Sequence, residues 1–258
     1  MTPRPARDPN VSSLSLFGLA FYMLVITAAF AVRNAAGFGA VLIAMPMLAL
    51  VMPVSAAVSV TTALTAITSV HQVVRHWRRV AWRHLAIMAF YSAIGIAVGF
   101  YVINLLNEDA LRRGLGVFLI LYSFYALATA GASPVLPAQW RHALAASTGI
   151  AGGLLGTLFG AGVGPIYVVY FNTLRMEREV FRVTMSTVLL LGGVARIVGY
   201  ARLGFYEDSS IALIAMGLPL VVIGSWLGDR VIRRLDPRKF GWLVGGLLLL
   251  SGVALLVK

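Results

Sequence analysis

Arg196 lies well inside the apolar run Val180–Tyr200. A guanidinium among apolar residues is costly, so by default it points into the protein or towards a cavity. Its planar fork of donors suits a ligand with several acceptor oxygens. Gly192 and Gly199, at i−4 and i+3, share its helical face and let that face approach another helix closely. Two glycine-rich segments offer donors of a second kind. One reads Arg33-Asn34-Ala35-Ala36-Gly37-Phe38-Gly39, the other Gly156-Thr157-Leu158-Phe159-Gly160-Ala161-Gly162-Val163-Gly164-Pro165. A helix that starts after such a tip presents unpaired backbone N–H groups and the positive end of its dipole, which together hold oxyanions. Gly39 and Gly162 are placed to open these helices, beside Gly37, Gly160 and Gly164, with Pro165 in the first turn of the second. Asn34 adds a side-chain amide at the first tip, and Thr157 holds the equivalent place at the second. The nine acids (Asp8, Glu108, Asp109, Glu177, Glu179, Glu207, Asp208, Asp229 and Asp236) all fall in tails, loops or span ends, so a cation site lacks its carboxylates. The chemistry on offer is anion binding by hydrogen-bond donors.

Composition says what must carry these residues. The chain has 258 residues, of which 60% are hydrophobic and 12% charged, and its mean hydropathy is +0.89. A soluble domain carries about 25% charged residues, so this chain could not cover itself against water. That excludes a soluble globular enzyme, a disordered chain and a disulfide scaffold, and cysteine is absent altogether. The net charge of +12 is no nucleic-acid signature, because the basic residues cluster between long apolar stretches rather than along one polar face. The chain reads as a helical integral membrane protein.

A helical span needs about 20 apolar residues. Apolar runs lie at about Leu14–Leu50, Val54–Val74, Leu85–Leu106, Leu111–Ala130, Ala143–Leu174, Val180–Tyr200, Ile211–Ile232 and Phe240–Val257. The first and fifth are too long for one crossing, and both are broken by the glycine tips, so each predicts a helical hairpin or a pair of short helices. With two crossings each, one side collects 14 basic residues, among them Arg75–Arg83 and Arg230–Lys239, and the other side six. With one crossing each, that bias disappears. The positive-inside rule therefore favours ten crossings with both termini outside; the expected location is a bacterial-type cytoplasmic (inner) membrane. A cleaved leader is not expected: the apolar run from Leu14 to Val32 exceeds the usual signal core of 7–15 residues.

The tips match at an offset of 123 residues, and Arg78-Arg79-Val80-Ala81-Trp82 lies over Arg202-Leu203-Gly204-Phe205-Tyr206 at an offset of 124. Five crossings per half is odd, so the halves are inverted. The expected fold is an all-α integral membrane protein of two inverted repeats. Residues 1–13 form a tail, 14–131 the first repeat, 132–141 a linker and 142–258 the second repeat. Broken helices in inverted repeats are the mark of secondary transporters, whose substrate binds near the midplane. The offset sets Gln72 over Arg196 and Thr68 over Gly192. Thr61, Thr65, Thr68 and Gln72 make one polar stripe, whose hydroxyls either line the interior or bond to their own backbone.

Gly37-Phe38-Gly39-Ala40-Val41-Leu42-Ile43-Ala44-Met45-Pro46 resembles the Gly-x-Gly-Gly-Gly-x-x-x-x-Pro signature of the sulfite exporter TauE/SafE family. Gly160-Ala161-Gly162-Val163-Gly164-Pro165 resembles that family's second glycine motif, and the likeness covers nearly the whole chain. Ala40, Val41 and Val163 replace motif glycines, and Val169 stands where the second copy often has proline. The resemblance implies export or uptake, with export the expected direction, of sulfite, thiosulfate or a small organosulfonate such as sulfoacetate.

The substrate site expected from these readings is Arg196, Asn34, Gly37, Gly39, Gly160, Gly162, Gly164, Thr61 and Gln72. Arg33 fits either a cavity donor or a positive-inside anchor. Gly149, Gly152, Gly153, Gly156, Gly160 and Gly164 also form overlapping small-xxx-small ladders, which read as packing. No metal cluster, nucleotide loop or activated nucleophile is visible, so neither cofactor nor catalysis is expected, and Ser186 and Thr187 lack a base. The expected partners are the small anion and the lipid bilayer, without nucleic acid; a homodimer is one oligomeric state left open. A membrane scaffold and an intramembrane enzyme are the competing classes.

Overall fold

The computed structural model describes residues 16–36, 39–128, 138–160, 163–230 and 237–257. They form ten α-helices: α1 (Leu16–Ala36), α2 (Ala40–Leu48), α3 (Val54–His76), α4 (Trp82–Leu105), α5 (Glu108–Ala128), α6 (Arg141–Phe159), α7 (Val163–Asn172), α8 (Arg178–Arg202), α9 (Asp208–Arg230) and α10 (Pro237–Val257). No strand occurs among the described residues. A lipid environment dictates this, since a helix bonds its own backbone groups where no water can. Seven of the helices found among the described residues are long and apolar enough to cross a membrane. The perimeter is apolar as lipid contact requires, with Phe90 on α4, Leu121 on α5 and Val222 on α9 each more than 60% exposed. This is a multi-pass, all-helical membrane protein.

Both long runs break at their glycines. The first becomes α1 and α2, the second α6 and α7, and each pair packs together as a hairpin. The second arms are short. With 9 and 10 residues, α2 and α7 are about 14–15 Å long, half of the roughly 30 Å hydrocarbon core. The ten crossings expected above are therefore ten helices of which two are half-length. The proposed tail at 1–13 lies outside the described residues, as does most of the linker; its described end, Ala138–Trp140, is a 3-10 turn.

Packing follows a regular exchange. α1 lies on α9 and α6 on α4, while α3 lies on α8 and α5 on α10. Glycine sets the closeness of the first two contacts. A β-carbon on Gly153 of α6 would collide with the Ser92 carbonyl of α4, and one on Gly228 of α9 with the Ala31 carbonyl of α1. The connectors reach across in the same way. Between α3 and α4, the Ala81 N–H donates to Thr184 Oγ1 of α8 at 3.0 Å, and Arg79 pairs with Glu179 at the start of α8. Between α8 and α9, Tyr206 donates to the Ser59 carbonyl of α3 at 3.3 Å, and Ser59 Oγ donates to the Phe205 carbonyl at 3.4 Å. The start of α3, whose N-cap is Pro53, is covered by Glu108 of α5, which accepts from the N–H groups of Val54 and Ser55. These contacts hold α3 and α8 side by side, α3 mostly buried and α8 with one face on the perimeter.

Candidate functional site

Arg196 is 4% exposed and has no counter-ion among the described residues. Its side chain folds back along α8. A β-carbon on Gly192 would stand 2.9 Å from Arg196 Nη2 and 3.7 Å from Ile96 Cδ1 of α4, so the missing side chain makes room for the guanidinium. Gly192 thus serves the arginine, whereas Gly199 admits the Phe100 ring of α4, the close helix approach its spacing predicts. Nε and Nη2 of Arg196 are buried without a hydrogen-bond partner. Tyr167 of α7 and Tyr200 of α8 lie within electrostatic reach of the charge, but their hydroxyls are committed elsewhere. Tyr167 shares a hydrogen bond with Ser92 Oγ at 2.7 Å. Tyr200 donates to the Thr157 carbonyl at 2.7 Å. Buried donors left open in this way are exceptional in a folded chain.

The end of α6 is tied to α8 through Tyr200. Tyr200 stands one turn beyond Arg196, and the carbonyl it binds is three residues before Gly160. Gly160 closes α6 with φ of 64° and donates its N–H to the Gly156 carbonyl at 3.0 Å, a left-handed turn that favours glycine. Gly39 opens α2 in the same region of backbone space, at φ 99°. A β-carbon on Gly160 would stand 2.9 Å from Val58 Cγ2, 3.2 Å from Val41 Cγ1 and 3.8 Å from Thr61 Oγ1. The end of α6, the first turn of α2 and α3 therefore meet. Gly164 is buried in the first turn of α7, where Pro165 also lies.

The other expected residues divide. Thr61 is buried beside Gly160, and its hydroxyl donates to its own Ala57 carbonyl at 2.7 Å. Thr157 likewise donates to Gly153 at 2.8 Å. Gln72 accepts from Ser186 Oγ at 2.8 Å. Ser186 is ten residues before Arg196, about 15 Å along the helix, so Gln72 is not brought to the arginine. Asn34 lies in α1 with its side chain outside the described residues, and Gly37 and Gly162 also fall outside them.

Arg33 is no exposed anchor. It is 7% exposed, and its guanidinium donates to the Thr65 carbonyl at 3.1 Å, Thr68 Oγ1 at 2.7 Å and Ser69 Oγ at 2.7 Å. The lower half of the polar stripe on α3 is thus occupied by a cation from α1. Sequence reasoning missed Ser69, Ser92, Tyr167 and Tyr200. Ser69 follows Thr68 directly and was the only one with a visible signal; tyrosines in apolar spans have none.

Among the described residues no group of His, Asp and Glu could hold a metal ion. What the arrangement offers is a buried cation with open donors on α8 and, separately, a glycine-bounded end of α6 that meets the first turn of α2 against α3. The chain matches no curated protein and no solved structure. Residues 22–255 match the model of the sulfite exporter TauE/SafE family. Since that match spans nearly all of the helical body described above, the chain belongs to the sulfite exporter TauE/SafE family of membrane transporters.

Proposed function

We propose that this protein is a secondary transporter that exports sulfite or a small organosulfonate such as sulfoacetate across the bacterial inner membrane. Its two inverted halves, residues 14–131 and 142–258, rock against each other to alternate access, with both termini outside. The observation that carries the reading is Arg196, buried with Nε and Nη2 unpartnered and without a carboxylate among the described residues. An uncompensated guanidinium inside a membrane protein is stabilised when an anion takes those donors. Family membership supports a sulfur oxyanion as that ligand. The exchanged packing of α1 on α9 and α6 on α4 supports the inverted duplication.

In this mechanism Arg196 is the charged donor, and the ends of α2 and α7 add backbone donors through Gly39, Gly162 and Gly164. Gly160 and Thr61 shape the wall between the two tips. Asn34 and Gly37 serve the first tip, and Gln72 lies on the route towards the cytoplasm. The test is flux in liposomes against sulfite, thiosulfate, sulfoacetate, taurine and sulfate. Uptake or release of a sulfur oxyanion that Arg196→Ala strongly reduces at low substrate concentration is the expected result. A panel in which no anion moves, with correctly folded and inserted protein, overturns the proposal.

A further inference from the structure

A groove of about 440 Å³ opens between α4 and α8 on the perimeter of the molecule. Ala89, Ala93 and Ala97 form its α4 wall at one residue per turn, and Gly192, Ala195 and Gly199 its α8 wall. Its lip is lipid-facing, with Leu191 and Val198 about half exposed. Its polar lining is limited to Ser92, already bonded to Tyr167, and Arg202. Arg202 is the last residue of α8, is exposed, and makes no ion pair or hydrogen bond with a described residue. Glu207 and Asp208 follow at the start of α9, but neither pairs with it.

We infer that this groove binds an anionic phospholipid, with one acyl chain in the recess and the phosphate on Arg202. Dimensions support this occupant. From Val188 to Arg202 the α8 wall runs about 21 Å, one leaflet of the roughly 30 Å core with the headgroup level at its end. A helix of a second copy, about 10–12 Å across with its side chains, is too wide for so small a recess. An acyl chain is not. Lipid tails are as apolar as the groove walls, so the recess alone gives no preference between lipids. The free guanidinium at its interfacial end supplies one, by charge complementarity with a phosphate headgroup.

The experiment is native mass spectrometry of the full chain in detergent, with dioleoyl-phosphatidylglycerol or dioleoyl-phosphatidylcholine added. The native chain should retain phosphatidylglycerol with about fivefold preference, the effect of one basic residue near a lipid charge. Arg202→Gln should equalise the two lipids. Ala93→Leu, which fills the recess, should lower retention of both at unchanged oligomeric state. Equal retention by the native chain overturns the inference, as does a preference that survives Arg202→Gln. If Ala93→Leu instead changes the oligomeric state and leaves lipid retention intact, the face meets a second copy and the lipid reading is wrong. Arg202 is exposed at a helix end, so its variant tests the headgroup contact even if the filled groove does not fold.

Discussion

The guanidinium of Arg196 rests where the side chain of Gly192 would otherwise be, with Nη2 2.9 Å from the β-carbon position. One residue supplies the charge and the other, a turn earlier, supplies its berth. Gly192→Ala should therefore fold normally, since the far end of a flexible side chain can move aside, yet bind anion more weakly. Arg196→Ala should weaken binding about tenfold or more, equivalent to about 1.4 kcal/mol per decade, in line with about 1.5–3 kcal/mol for a charge-assisted hydrogen bond. Arg196→Lys should restore part of it, keeping charge but losing the fork. Calorimetric titration of the three variants with sulfite checks this. Unchanged affinity in Gly192→Ala would mean that the resting position of the guanidinium is not its binding position.

Arg33 allows a different experiment. Thr68 and Ser69 each keep a backbone acceptor of their own, Leu64 at 2.9 Å and Thr65 at 2.8 Å. Arg33→Met should thus leave neither hydroxyl stranded and remove a buried charge, which often costs little or even stabilises. The unfolding midpoint in detergent should shift by no more than about 1 kcal/mol in equivalent stability, the order of one ordinary hydrogen bond. A large fall would show that the arginine is the clamp between α1 and α3.

Gly160 combines a left-handed backbone with tight surroundings, φ 64° and a β-carbon position 2.9 Å from Val58 Cγ2. Gly160→Ala should lower stability by about 1–2 kcal/mol from backbone conformation alone, and transport with it. Gly160→Val should do so more severely. Thermal unfolding followed by circular dichroism, paired with liposome flux, separates the two effects. An alanine variant as stable and active as the native chain would mean that the tip tolerates a side chain.

The absence of cysteine makes single-cysteine reporters clean. Arg78→Cys and Arg234→Cys should be labelled from the same, cytoplasmic, side by a membrane-impermeant maleimide, and Arg202→Cys from the other. Labelling of the first two from opposite sides would remove the inverted arrangement of the halves.

The breaks at Gly39 and Gly160 are legible in the sequence because each coincides with an apolar run too long for a single span, so length and composition report the same event. The shortness of α2 is legible too, since the run that starts after Gly39 ends at Leu50; that it packs back on α1 as a hairpin is a matter of the fold. The stripe of Thr61, Thr65, Thr68 and Gln72 shows the same limit. Spacing along one helix says which face is polar, but not that Arg33 of α1 stands opposite Thr68, or that Ser186 of α8 takes Gln72. The offset that aligns Gln72 with Arg196 relates positions along the sequence, not by contact. Arg196 itself was visible because charge in an apolar run is rare. Its berth at Gly192 required coordinates, since a glycine one turn away serves a neighbouring helix equally well on paper.

Tyr22 donates to the Leu213 carbonyl at 2.6 Å, across 191 residues of chain. At about 5–20 residues per second of synthesis, roughly 10–40 s separate the arrival of the tyrosine from that of its acceptor. Throughout that interval α1 is a stable helix in lipid, because its backbone is satisfied internally, but the face that later meets α9 has nothing to dock on. The same delay holds in shortened form for α4, which waits for α6. The first helix is thus inserted early and completes its packing late, and a chain stalled before α9 leaves its N-terminal helix as an unclaimed surface in the bilayer.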